Sequence, residues 1–231
     1  MGLIFLALVH LKECEMYEFL QHEIQFFIFC LTTLFTLINP IGISPILIIM
    51  TERFPEKEKI NIAKKGSLTA FITLILFSLL GSVIFNFFGI TIEAFQIMGG
   101  IIFFRNGLRM LDSKIGRSRT TPAEQEESEE SDDIAVSPIG IPLIAGPGAI
   151  TAAMLLSSQT PQIYSYFTLI FSIFFVLSLV YLILRNGDFL LKLLGTTGIR
   201  VIQRLMGLIL MVIAVQFVIN GVISIYKLLI A

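Results

Sequence analysis

The run 26–50 carries no charged side chain, and near its centre stands Asn39-Pro40-Ile41-Gly42-Ile43-Ser44-Pro45. An uncharged apolar stretch of this length reads as a membrane-spanning helix. Proline inside a helix removes a backbone donor and clashes with the carbonyl four residues earlier. Pro40 therefore frees the carbonyl of Thr36, and Pro45 that of Ile41. Each unsatisfied polar group in hydrocarbon costs several kcal/mol, on the order of 2–7. The span is expected to break near mid-bilayer and to face protein, water or a ligand there.

The rest of the 231-residue chain sets that run among others like it. It is 55% hydrophobic and 14% charged, which places it with integral membrane proteins. No basic patch points to nucleic acid. Cys14 and Cys30 form neither a disulfide framework nor a metal-binding spacing. His10 and His22 both lie in the N-terminal segment, away from any nucleophile or metal cluster, so the residues argue against an enzyme and call for no cofactor.

Six spans are expected, over residues 26–50, 67–88, 92–111, 138–158, 166–184 and 201–226, making an all-α membrane protein. With no tryptophan, the interfacial anchors are Tyr17, Tyr164, Tyr166, Tyr181 and Tyr226, near the span ends. Residues 1–25 read as a separate N-terminal segment, and 112–137 as an acidic, solvated linker on the cytoplasmic side. The first repeat is then 26–111 and the second 138–231. Of the sixteen Lys and Arg, all but Lys12 and Lys227 fall in or beside the loops after spans one, three and five. Because basic residues accumulate on cytoplasmic loops, both termini are expected outside a multi-pass inner-membrane protein.

Three landmarks recur at nearly one offset: Pro40 with Pro147, Gly89 with Gly195, and Met98-Gly99 with Met206-Gly207. A repeat of three spans is implied, and an odd number of spans inverts the second copy. Inverted repeats with helices broken at matching positions point to a transporter whose site lies near the midplane. The first and fourth spans carry those breaks. Residues preceding proline are driven out of the helical region, so Asn39 and Ser44 are expected to be extended, with Ser44-Pro45 restarting the helix as N-cap and first residue. Gly146-Pro147 offers the same device in the fourth span, with Gly148 small enough for close approach.

Helix ends of this kind favour an anionic group, while carbonyls freed at Thr36, Ile41 and Leu143 accept from an ammonium. Neither break carries a formal charge, which suits a net-neutral zwitterion. Candidate substrate-binding positions are Thr36, Asn39, Pro40, Ile41, Gly42, Ser44, Pro45, Leu143, Gly146, Pro147, Gly148 and Thr151, with Gln96, Gln216 and Asn220 as further polar groups needing partners. Glycine and proline also serve close helix packing, and two matched breaks tip the balance towards a site. Proton coupling would call on Glu93, and sodium coupling on the freed carbonyls. A solute channel or a membrane scaffold are the competing readings.

Asn39-Pro40-Ile41-Gly42 with Pro45, the run 142–150, Gln203-Arg204-Leu205-Met206-Gly207-Leu208-Ile209-Leu210 and Ala214-Val215-Gln216-Phe217 resemble the MarC-related membrane proteins over about residues 16–226. That family sits in the amino-acid exporter superfamily typified by the lysine exporter. The resemblance implies six helices and transport of small neutral amino acids such as glycine and alanine. The acidic linker and the N-terminal extension depart from the family's usual pattern.

Overall fold

A computed structural model describes residues 2–112, 135–160 and 163–230, and every element in them is a helix. We number these α1 (Gly2–Ile38), α2 (Pro40–Met50), α3 (Glu56–Phe88), α4 (Ile92–Asp112), α5 (Ala135–Ile144), α6 (Pro147–Ser158), α7 (Ile163–Arg185) and α8 (Gly187–Ile230). The acidic linker lies almost wholly outside the described residues.

The element ends follow local chemistry. α2 stops at Thr51, whose hydroxyl and N–H both donate to the carbonyl of Leu47, at 2.7 and 2.9 Å. Extended Pro55 opens α3, with Glu56 and Glu58 in a first turn whose dipole favours negative charge. Gly89, at φ 62°, closes it, and the N–H of Ile90 reaches back to Phe85. Thr91 then caps α4 by accepting from the N–H of Ala94 at 3.2 Å. Gly195 interrupts α8 at φ 60°, so both glycines of the matched landmark take the left-handed conformation.

Among the described residues, four stretches are long and apolar enough to cross a membrane: Met16–Met50, Glu56–Gly81, Ile163–Arg185 and Gly187–Ile230. A fifth forms if α5 and α6, bent by 61°, count as one. By length and composition, four or five of the six expected spans stand out. The third expected span exists as α4, yet Glu93, Arg105, Arg109 and Asp112 keep it off that roll of apolar helices. α1 runs unbroken from Gly2, and at its residue 23 a carboxylate accepts hydrogen bonds from Ser165 (2.7 Å) and Thr168 on α7.

α6 sits at the centre, with Gly148, Ala149 and every residue from Thr151 to Leu156 buried. It packs on α3, α4 and α1, with a smaller contact to α7, and α4 runs along α8. Leu68, Ile72, Leu76, Leu79 and Val83 on α3, and Phe167, Phe171 and Phe174 on α7, form exposed stripes at helical spacing. Burying one such side chain is worth about 1.5–3 kcal/mol, so stripes this dense belong against lipid.

Candidate functional site

The first helix break occurs at Asn39, which adopts φ 52° and ψ 61°. Asparagine takes this left-handed conformation more readily than other residues bearing a β-carbon. Its side-chain oxygen accepts from the N–H of Gly42 at 3.2 Å, and Pro40 occupies the first helical position. The restart is thus Asn39-Pro40, which corrects the expectation of Ser44-Pro45. Ser44 and Pro45 lie inside α2, and neither Asn39 nor Ser44 is extended. The earlier proline prevails because Asn39 supplies both a cap and a tolerated positive φ, whereas Pro45 merely removes one donor within a helix already restarted.

The second break spreads over more of the chain. Ile141 is extended (φ −132°, ψ 125°), the N–H of Ala145 reaches five residues back to Gly140, and Gly146 is extended ahead of Pro147. No side chain caps α6. The N–H groups of Gly148 and Ala149 therefore open its N-terminus, while the first turn of α2 is already occupied by Asn39.

Several expected residues come together. A β-carbon on Gly148 would lie 3.2 Å from Leu37 Cδ2 and 2.8 Å from Asn106 Nδ2, which sets the start of α6 beside the end of α1 and beside α4. On Gly42 it would fall 2.5 Å from Gln203 Nε2 and closer still to the amide nitrogen of Asn39. Thr36 is buried, and its hydroxyl donates to Met206 sulfur at 3.9 Å. Asn39, Gly42, Asn106 and Gln203 are half-buried, and none of the groups at the two restarts is charged.

Others stand apart. Ser44 Oγ is buried without a hydrogen-bond partner and faces Gly187, and Thr151 packs against Gly99. Leu143 belongs to the core, Ile41 is half-buried and Pro147 is exposed. Gln216 and Asn220 are exposed and bond to each other at 2.8 Å. Asn106 and Gln203 were missed as site residues. Gln203 had a signal, because Gln96 lies 107 positions before it, the separation of Pro40 and Pro147.

A separate cleft lies at the far end of α2, lined in part by Thr51, Glu56, Lys59, Arg185 and Asp188, with room for about one water molecule at ≈ 20 Å³. Its charged lining sets it apart from the uncharged restarts. Among the described residues no cluster of His, Cys, Asp and Glu is arranged to hold a metal ion.

The family model described as MarC family integral membrane protein matches residues 24–226. The chain belongs to the MarC family. MarC relatives include the UPF0056 membrane protein MJ0972 of Methanocaldococcus jannaschii, 37% identical over 88% of this chain and 90% of its own. PH0760 of Pyrococcus horikoshii is 40% identical over 86% and 95%, and YvbG of Bacillus subtilis 37% over 84% and 92%. Both breaks, and every polar residue placed at them, fall inside the MarC match. No solved structure matches the chain.

Proposed function

We propose that this MarC protein is a multi-pass transporter of small neutral amino acids, such as glycine or alanine, working by alternating access between the two restarted helices. The observation that supports the reading is the open α6 restart at Gly148 lying beside Asn106 and beside Leu37, two residues before the capped break at Asn39, with no charged group at either. The N–H groups of Gly148 and Ala149, aided by the α6 dipole, suit a carboxylate. Asn106 Nδ2 adds a donor beside them. The carbonyl of Thr36, which loses its usual helical donor at Pro40, and the second lone pair of Asn39 Oδ1 suit an ammonium group. The carboxylate seat is accordingly Gly146-Pro147-Gly148.

The inverted repeat belongs to this reading, and the packing supports it. α3 and α7 begin 107 positions apart, at Glu56 and Ile163. α1 packs on α7 as α5 and α6 pack on α3. A β-carbon on Gly100 would meet the carbonyl of Ala214 at 2.7 Å, and one on Gly207 that of Gly107 at 2.8 Å. A shift of 107 exchanges these two contacts. Six crossings, with α4 among them sheltered by α8, and external termini complete the proposal, along with a small-molecule substrate and no enzymatic step.

Uptake of labelled glycine or alanine into proteoliposomes tests it. Asn39→Ala and Gly146→Leu are expected to lower uptake at least tenfold, and wild-type rates in both would remove the site.

A further inference from the structure

Of the apolar stretch in α8, 22% is buried within the chain, against 39–44% for the other three spanning stretches. Between Arg204 and Lys227 run 22 residues without a charge, about 33 Å of helix and enough to cross a hydrocarbon core of ~30 Å. Gln216 stands at the middle of that run. Gly207, Leu210, Ala214, Phe217 and Gly221 turn inward and are buried. Gln216 and Asn220 are exposed, and among the described residues each bonds only to the other, Gln216 Nε2 donating to Asn220 Oδ1 at 2.8 Å. That bond leaves one N–H and the carbonyl oxygen of Gln216 free, and both N–H groups of Asn220. Lipid tails offer them no partner, and unsatisfied polar groups at that depth are costly.

The side chains around Gln216 follow a seven-residue period. Leu205, Ile209, Val212, Gln216, Ile219 and Ile223 recur at alternating steps of four and three, and all six are exposed. In a heptad, Ile209, Gln216 and Ile223 take the a positions and Leu205, Val212 and Ile219 the d positions, which is the seam one helix presents to another. A single polar residue at an a position sets the register of such a pair. The exposed stripes on α3 and α7 differ in this respect, because Leu68, Ile72, Leu76, Leu79 and Val83, like Phe167, Phe171 and Phe174, include no amide and are satisfied by lipid.

We propose that the exposed face of α8 is a dimer interface, closed by a second copy of this chain through Gln216. An amide is its own complement: each Gln216 donates its free N–H to the Oε1 of the other, so one reciprocal pair answers both. Side-chain amides bond across membrane helices in this way. Copies of one chain cross the bilayer in the same sense, so the two-fold axis lies along the membrane normal and every seam residue meets its own counterpart at equal depth. Val212 and Ile219 pack on either side of the amide pair and exclude other partners from it. The interface uses the side of α8 turned away from α4 and from the restarts, so it stands independently of the transport reading.

Single-cysteine cross-linking in native membranes tests the interface without any substrate. In a chain carrying Cys14→Ala and Cys30→Ala, one cysteine at a time is introduced by Val212→Cys or Ile219→Cys on the seam, and by Val83→Cys on α3 or Phe171→Cys on α7 as controls of similar exposure. Mild oxidation is expected to convert at least five times more of the seam variants than of the controls into a band of twice the chain's mass. Gln216→Leu is expected to lower the yield at 212 at least fivefold, and Gln216→Asn to keep half of it or more. Chains bearing one fluorophore each, reconstituted in liposomes, are expected to bleach in two steps, and in one with Gln216→Leu. Equal yields at seam and control positions, a product of any other mass, three or more bleaching steps, or a dimer indifferent to Gln216→Leu overturns the proposal. The comparison of seam with control positions needs no change at 216 and decides the matter even where Gln216→Leu fails to fold.

Discussion

At the scale of single residues, Asn39 has two tasks: it caps α2 and it carries the backbone through a positive φ. Replacing it by alanine loses the cap, about 1 kcal/mol, and adds the left-handed penalty of roughly 1–2 kcal/mol. Thermal unfolding in detergent should show Asn39→Ala destabilised by about 2 kcal/mol, and Asn39→Gly by less, since glycine tolerates the φ. Glu23 makes a comparable prediction outside the site. Glu23→Ala leaves the hydroxyl of buried Ser165 without its acceptor and is expected to cost about 1–3 kcal/mol, with Glu23→Gln recovering part of it. Gln216→Ala, by contrast, removes an exposed bond between neighbours one turn apart and should change stability by less than about 0.5 kcal/mol and leave uptake unaltered.

Helices meet most tightly where α4 crosses α8. A β-carbon on Gly207 would lie 2.8 Å from the carbonyl of Gly107 and 2.9 Å from Met110 Cβ, so Gly207→Ala must push the two helices apart. Gly89 has the same residue type and a positive φ, but nothing lies within 4 Å of its missing side chain. Gly207→Ala is expected to cost about 1–3 kcal/mol through overpacking and to weaken the α4–α8 unit, whereas Gly89→Ala should cost roughly 1 kcal/mol of backbone strain and leave packing intact. Paired melting curves distinguish the two. This contrast also marks what could be read in the chain beforehand. Proline chemistry is covalent, so helix breaks at Pro40 and Pro147 were legible. Which of two prolines restarts α2 depends on the conformation of Asn39 and on Gln203 packed beside it, and that contact joins residues more than 160 positions apart. Asn106 at Gly148 was hidden for the same reason. The mutual bond of Gln216 and Asn220 was visible in their spacing of four. α4 stands outside the count of apolar helices because Arg105, Arg109 and Asp112 lie exposed along it and lower its hydropathy.

Across the whole molecule, a central, almost wholly buried α6 has its restart beside Asn106 of α4, and the α2 restart lies beside Gln203 of α8. The proposed orientation, with both termini outside, rests on the placement of Lys and Arg. Single cysteines in the 51–55 turn are expected to be shielded from an impermeant thiol reagent added outside intact cells, and one at position 90 to be reached by it. The central claim is that substrate binds between the restarts and is carried by alternating exposure. Counterflow measures this most directly: proteoliposomes loaded with unlabelled alanine and diluted into a trace of labelled alanine should accumulate the label transiently, with a rate that saturates, and should lose this behaviour with Gly146→Leu. Flux that rises linearly with concentration and shows no transient accumulation would contradict the account.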